Sequence, residues 1–154
     1  MRARATPATA AMPSVHEFET PDQAEAAFYA AFSSGDLDQM MAVWALDDGI
    51  VCLHPGDGRR EGQSAVRGGW QEIMAEDQAR FAVTPSDVLR QTGETLSVHT
   101  LRELLWVDGQ LRGVMLATNI YLRVHHGWRL WLHQAQPDPQ GRELVAAATS
   151  SNRH

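Results

Sequence analysis

The strongest constraint on the fold lies in the second half of the chain. After residue 80 four long strand-like runs follow one another: "RFAVTPSDVLRQT", "TLSVHTLRELLWV", "QLRGVMLATNIYLRV" and "GWRLWLHQAQ". Asp108-Gly109 joins the middle pair, a dipeptide that suits the two-residue turn between twisted antiparallel strands. His126-Gly127 joins the next pair. A meander of long strands must bury one face against another layer, and the first half of the chain supplies that layer as helices. In "TPDQAEAAFYAAFSSGD", Thr20 suits an N-cap, Pro21 the first helical position and Asp22 the first turn. Ala24, Ala27, Phe28, Ala31 and Phe32 recur at helical spacing, and Gly35 ends the run. Asp36 caps a second, short helix carrying Leu37, Met40, Met41 and Trp44. A strand from Gly49 to His54 follows, then the loop "HPGDGRREG". Next, "QSAVRGGWQEIMAEDQ" reads as a third helix with Ala65, Trp70, Ile73 and Met74 on its apolar face. Gly68-Gly69 in its middle costs about 1 kcal/mol per glycine against alanine, which points to close packing or a weak point. Helices first and strands second make an α+β plan.

The chain of 154 residues fits one domain. The expected division is a flexible N-terminal tail over 1–17, the domain over 18–137 and a flexible C-terminal tail over 138–154. The last of these, "DPQGRELVAAATSSNRH", reads as either disordered or a frayed helix. All 13 basic residues are arginine and the net charge is -6, which argues against binding a phosphate backbone. Cys52 is the only cysteine. It excludes an internal disulfide and a cysteine-based zinc site. No apolar run is long enough to span a bilayer, and "MRARATPATAAMPSVHEF" lacks the apolar core of a secretory signal, so a cytoplasmic location is expected. In "LATNIYLRV" both faces are apolar, with Leu116, Ile120 and Leu122 on one and Met115, Ala117 and Tyr121 on the other. Helices cover one face; a second copy of the chain is the expected cover for the other.

The order of parts resembles the nuclear-transport-factor-two-like superfamily, in its SnoaL-like and ketosteroid-isomerase-like branch. The resemblance rests on "FYAAFSSGDLDQMMAVWALDD", "IVCLHPGDGRREGQSAVRGGW" and "HHGWRLWLHQAQP", in the family's order, over Thr20 to Pro137. It implies a cone, with three helices packed in a strongly curved antiparallel sheet and a pocket at the open end, often dimeric through the sheet. In isomerase members a carboxylate before a proline at the end of the first strand is the general base. Here the residue before Pro55 is His54. The helix-one tyrosine that donates to the oxyanion in those enzymes matches Phe28, which has no hydroxyl. Tyr29 stands about 100° away on the helix. Steroid-type isomerisation is therefore not carried over. Function belongs to sites, not folds.

Each candidate side chain has a structural reading beside the functional one. His54 can act as general base or acid near neutral pH, or simply close a strand by donating to a loop carbonyl. Asp57, in the glycine-rich loop, is a second acid near the mouth, or an ordinary turn residue. Asp47-Asp48 read as caps or solvated residues at the helix–strand junction. His133 shares a face with Trp131 and Ala135, opposite Trp128, Leu130, Leu132 and Gln134; a surface or interface position suits it slightly better than the pocket. His99 shares a face with Leu101 and Glu103, and an exposed cross-strand pair is at least as good a reading as a buried one. Phe28, Trp44 and Trp70 belong to the core and line the family's pocket as well. Asn119, midway along a strand, is a candidate polar anchor. Arg59-Arg60 suit an anionic ligand or a solvated loop, and His125-His126 a solvated turn. Three histidines (His54, His99 and His133) suit zinc, but their spacing does not demand it, so no metal and no cofactor are expected. Three readings stand together: a domain binding a small, largely apolar molecule; a cofactor-independent isomerase, cyclase or dehydratase that moves a proton through His54; and a structural association module.

Overall fold

A computed structural model describes residues 17–75, 81–125 and 127–153. Three helices come first: α1 (Pro21–Ser34), α2 (Leu37–Val43) and, after strands β1 (Val51–Leu53) and β2 (Arg60–Glu61), α3 (Gly62–Met74). Strands β3 (Phe81–Thr92), β4 (Leu96–Val107), β5 (Gln110–Val124) and β6 (Gly127–Pro137) form the meander, and α4 (Gly141–Ser151) closes the described chain. The Thr20 hydroxyl accepts the Gln23 N–H, and Gly35 ends α1 in the left-handed region at φ 67°. The Asp36 carboxylate caps α2 through the Gln39 N–H. Trp44 leaves the helix in extended backbone and pairs with Leu130 as an isolated bridge.

The sheet is six-stranded, in the order β2-β1-β6-β5-β4-β3, and curved around α1. The meander is antiparallel throughout, but β1 joins β6 in parallel, so the sheet is mixed where a fully antiparallel one was expected. Each long pairing contains one irregularity: Asp87-Val88 against Leu101, Arg112 between β4 and β5, and Trp131 between β5 and β6. Such bulges bend a strand and increase its twist, which is what a sheet needs to curl around a helix. They also break the simple alternation assumed for β6. Trp128 and Leu130 are buried before the bulge, and His133 and Ala135 after it.

The inner face of the sheet packs on Ala24, Phe28, Ala31, Phe32, Met40, Val66 and Trp70. Val66, rather than the half-buried Ala65, is the buried residue in the early turns of α3. Phe28 is fully buried and touches Tyr29, Phe32, Trp70 and His133 ring to ring; burial of such a side chain contributes about 3 kcal/mol. Of the two readings of the C-terminal segment, disordered or a frayed helix, the structure has the helix, α4. Arg102 binds the Asp138 carboxylate at 2.8 Å, Asp138 accepts the Gln140 N–H, and Gly141 lies against Val114. These contacts seat α4 on the outer face of the sheet at β5. Residues 1–16, most of the expected N-terminal tail, lie outside the described residues; Phe18 already pairs with Gly127.

Candidate functional site

The hairpin register places His99 opposite Asn119, Asn119 opposite His133 and His133 opposite Cys52, on four adjacent strands. Directly paired residues share a face, and this row faces inward onto α1. All of its members are buried. From α1, Glu25 and Tyr29 point into the same space.

The centre is a chain of hydrogen bonds. His133 Nδ1 donates to Asn119 Oδ1 at 2.6 Å, Asn119 Nδ2 donates to the Tyr29 hydroxyl at 3.0 Å, and that hydroxyl donates to Glu103 Oε1 at 3.2 Å. Glu103 Oε1 returns to within 3.7 Å of His133 Nε2, which has no hydrogen-bond partner. The four side chains thus form a ring open only between Glu103 and His133. Because Asn119 Oδ1 can only accept, Nδ1 of His133 carries a proton, and in the neutral ring Nε2 is a lone pair aimed at the carboxyl group. Burial raises Glu103 to about 7, offset in part by the Tyr29 hydrogen bond. Burial and the Glu103 charge push Tyr29 well up, and burial pushes His133 well down. A carboxyl group that keeps its proton to neutrality beside an imidazole that refuses one is the pattern of acid–base sites, although structural networks share it.

His54 stands at the edge of this ring. Its imidazole meets Trp70 edge-on at 4.6 Å and His133 at 5.3 Å between ring centres. Burial lowers it to about 4, so it is neutral at physiological pH. Cys52 Sγ lies 3.7 Å from both ring nitrogens; burial holds that thiol far above its ordinary range, so it is no nucleophile. A second buried polar pair lies beside the ring. His99 Nδ1 meets Glu25 Oε2 at 2.5 Å, beneath the surface pair Arg90–Asp22.

The structure therefore brings His54, Trp70, Phe28, Asn119 and His133 into one cluster. It leaves Trp44 buried beside β6 and Asp57 on the surface. Asp57 is held by the Arg60 guanidinium at 2.6 Å and by the Gly58 N–H, which together lower its carboxyl pKa. Arg60 also meets Glu72, and Arg59 meets Glu61. His133, for which a surface position was slightly favoured, and His99, for which an exposed pair was an equal reading, are both buried. His99 pairs with Glu25, away from His54 and His133, and no group of described residues is placed to hold a metal. His126 lies outside the described residues; His125 is exposed. The residues missed were Glu25, Tyr29 and Glu103. Tyr29 sits about 100° from Phe28 on α1, yet the sheet wraps so far around this helix that both are buried. The signal for Glu103 was its shared parity with His99.

Three hollows of about 440, 460 and 400 Å³ lie on the outer face of the sheet and beside α4. None of them is lined by His54, Trp70 or His133.

The sequence model of a family described as SnoaL-like domain matches residues 22–136. No curated protein matches the chain. Among solved structures, a provisionally assigned calcium/calmodulin-dependent protein kinase type II association domain from Thiobacillus denitrificans is 38% identical, with TM-score 0.75, over 80% of this chain and 98% of that one. A provisionally assigned dehydratase of the NTF2-like family from Streptomyces avermitilis is 28% identical, with TM-score 0.67, over 77% and 99%. A provisionally assigned ketosteroid isomerase from Shewanella frigidimarina shares the fold at 11% identity and TM-score 0.61, over 73% and 91%.

Proposed function

We propose that this chain, which belongs to the SnoaL-like domain family, binds a small, largely apolar molecule carrying one hydroxyl or carbonyl group. The observation that carries this reading is the unfilled hydrogen-bonding capacity of His133 Nε2 beside Glu103, buried at the centre of the cone. Unpaired buried polar atoms are costly, and in native proteins each calls for a reason. A ligand oxygen would meet both groups. The half-buried Phe81, Leu105 and Met115 at the same end of the sheet suit an apolar body. The interior is close-packed, with Phe28 touching four aromatic rings, so the ligand is admitted by displacing these rim side chains. Cyclohexenone and cyclohexanol serve as probes in a thermal-shift assay. Both should raise the melting temperature of the wild type and do so much less for His133→Ala, even allowing for its lower starting stability. Equal shifts in both proteins would remove the cone from consideration.

A second reading, proton transfer, is favoured by the spread between Glu103, at about 7, and His54, at about 4. Groups pushed apart by their surroundings can divide acid and base roles. In a dehydration, protonated Glu103 would give its proton to the departing hydroxyl while His54 takes one from the neighbouring carbon, and water leaves. Tyr29 supplies a helix-one hydroxyl after all, so the expected lack of that donor no longer counts against isomerisation. The dehydratase assignment of the Streptomyces structure supports this reading. Deuterium exchange next to the cyclohexenone carbonyl, beyond the buffer rate and lost in Glu103→Gln and His54→Gln, is the expected result; exchange that persists in both variants rules it out.

We further propose that the outer sheet face pairs with a second copy of the chain. Leu89, 73% exposed, lies there beside Leu116 and a hollow of about 440 Å³. The association-domain assignment of the Thiobacillus structure supports assembly as the alternative role.

A further inference from the structure

Arginines in this acidic chain mostly face carboxylates. Arg59, Arg60, Arg67, Arg90 and Arg102 each have one within 3.2 Å. Arg112 and Arg142 have none among the described residues. They come from distant parts of the sequence and border the same hollow of about 460 Å³ between β5 and α4. Arg112 is the bulged residue of β5, left out of the ladder, and bulges commonly re-aim a side chain. Arg142 lies in the first turn of α4, whose N-terminus has no side-chain cap and carries partial positive charge. Between them the hollow is lined by Val114, Met115, Pro137 and Val145. Its acid, Asp138, is already bound to Arg102 at 2.8 Å. Glu143, also in the first turn of α4, is exposed and lies outside the lining. A concave apolar surface of this size fits a small organic ligand, and two free guanidinium groups at its edge select a negative head.

We propose that this hollow is a binding site for a single-chain amphiphilic carboxylate, its head between Arg112 and Arg142 and its chain over Val114, Pro137 and Val145. The site is separate from the cone. It joins the family domain, matched over 22–136, to a helix beyond that match. A concave site with a negative head is favoured over a membrane surface, because the net charge of -6 opposes an anionic bilayer.

The test is isothermal titration of the whole chain with decanoate below its micelle concentration. Decanol carries the same chain without the charge, and decyl phosphate and inorganic phosphate carry the alternative head with and without a chain. Decanoate is expected to bind at least tenfold more tightly than decanol, and the double variant Arg112→Gln/Arg142→Gln to lose at least tenfold of that affinity. Both arginines are exposed, and circular dichroism checks that the variant keeps its fold. Glu103→Gln, within the cone, should leave decanoate binding unchanged. Tighter binding of decyl phosphate that keeps the arginine dependence moves the head from carboxylate to phosphate and overturns the ligand class. Equal binding of decanol, undiminished binding by the double variant, loss of binding in Glu103→Gln, or inorganic phosphate binding as tightly as decanoate each overturns the site.

Discussion

Glu103 and His54 make opposite demands on proton binding, and their effects on stability can be signed. Glu103 rises from its ordinary 4.5 to about 7 on folding. The folded chain keeps this proton while the unfolded chain has lost it, so the group favours folding at low pH and loses that contribution as pH climbs from about 4.5 through 7. The span is worth on the order of 3 kcal/mol. His54 falls from 6.5 to about 4; its contribution is present above 6.5 and is lost as pH falls through 4. His133 moves in the same direction. Between about 4.5 and 6.5 two histidine slopes oppose one carboxyl slope, so wild-type stability should still rise with pH there, by about one proton's worth, or about 1.4 kcal/mol per pH unit. In Glu103→Gln the histidine slopes stand alone, and urea midpoints should drop about twice as steeply from pH 6.5 to 4.5 as in the wild type; equal slopes in the two proteins would mean that Glu103 does not titrate as described. Gly127 is a different kind of residue-scale constraint. At φ 99°, a Cβ there would lie 2.3 Å from the Phe18 carbonyl oxygen. Gly127→Ala should therefore cost at least ~2 kcal/mol in urea unfolding, with an unchanged m-value. The need for Gly127 was legible as a turn signal; its partner Phe18 was not, because nothing local to either residue marks a contact across more than a hundred positions.

At the scale of the element, the adjacent glycines of α3 separate into two cases. A Cβ on Gly69 would meet Arg60 Cδ at 2.8 Å, whereas on Gly68 it would lie 3.7 Å from Arg60 Nη1. The Arg60 side chain crosses the helix at Gly69 on its way between Asp57 and Glu72. Gly68→Ala should thus stabilise the protein by up to about 1 kcal/mol through helix propensity. Gly69→Ala should gain nothing, because Arg60 must leave its carboxylates. Thermal melts of the two variants compare them directly, and an equal gain in both would disprove the crossing. The helices were readable because caps and apolar spacing are local signals. The β4–β5 turn was readable for the same reason. The bulges at Arg112 and Trp131 were not, and each changes which residues meet across the sheet. For that reason the parity of β6 slightly favoured a surface position for His133, itself a ligand-binding candidate, and the Glu103 ring went unseen, although each member was visible in the sequence.

Across the whole molecule the two faces of the sheet have different tasks. The inner face encloses aromatic side chains and the polar ring, and the outer face carries α4 and, beside it, an open area where Leu116 and the exposed Leu89 stand among threonine and glutamine side chains. If that area pairs two copies, Leu89→Glu should shift the species seen by light scattering from dimer to monomer without lowering the melting temperature of the monomer. A wild type already monomeric at micromolar concentration would dispose of the pairing. The α+β order was legible because it follows from the succession of periodicities; what covers the outer face was not, since a sequence does not say how far a sheet curls. No described helix is long and apolar enough to cross a membrane. The bulge at Trp131 has one more consequence. Counted from the turn at Gly127, a regular ladder would set His133 opposite Thr118 and outside the cone; leaving Trp131 unpaired sets it opposite Asn119. The strand is one residue longer than its ladder requires, and that surplus fixes the phase of everything after it. Deleting Trp131 would preserve the phase and keep His133 inward. Drawing Trp131 into the ladder would invert it and turn His133 to the outside.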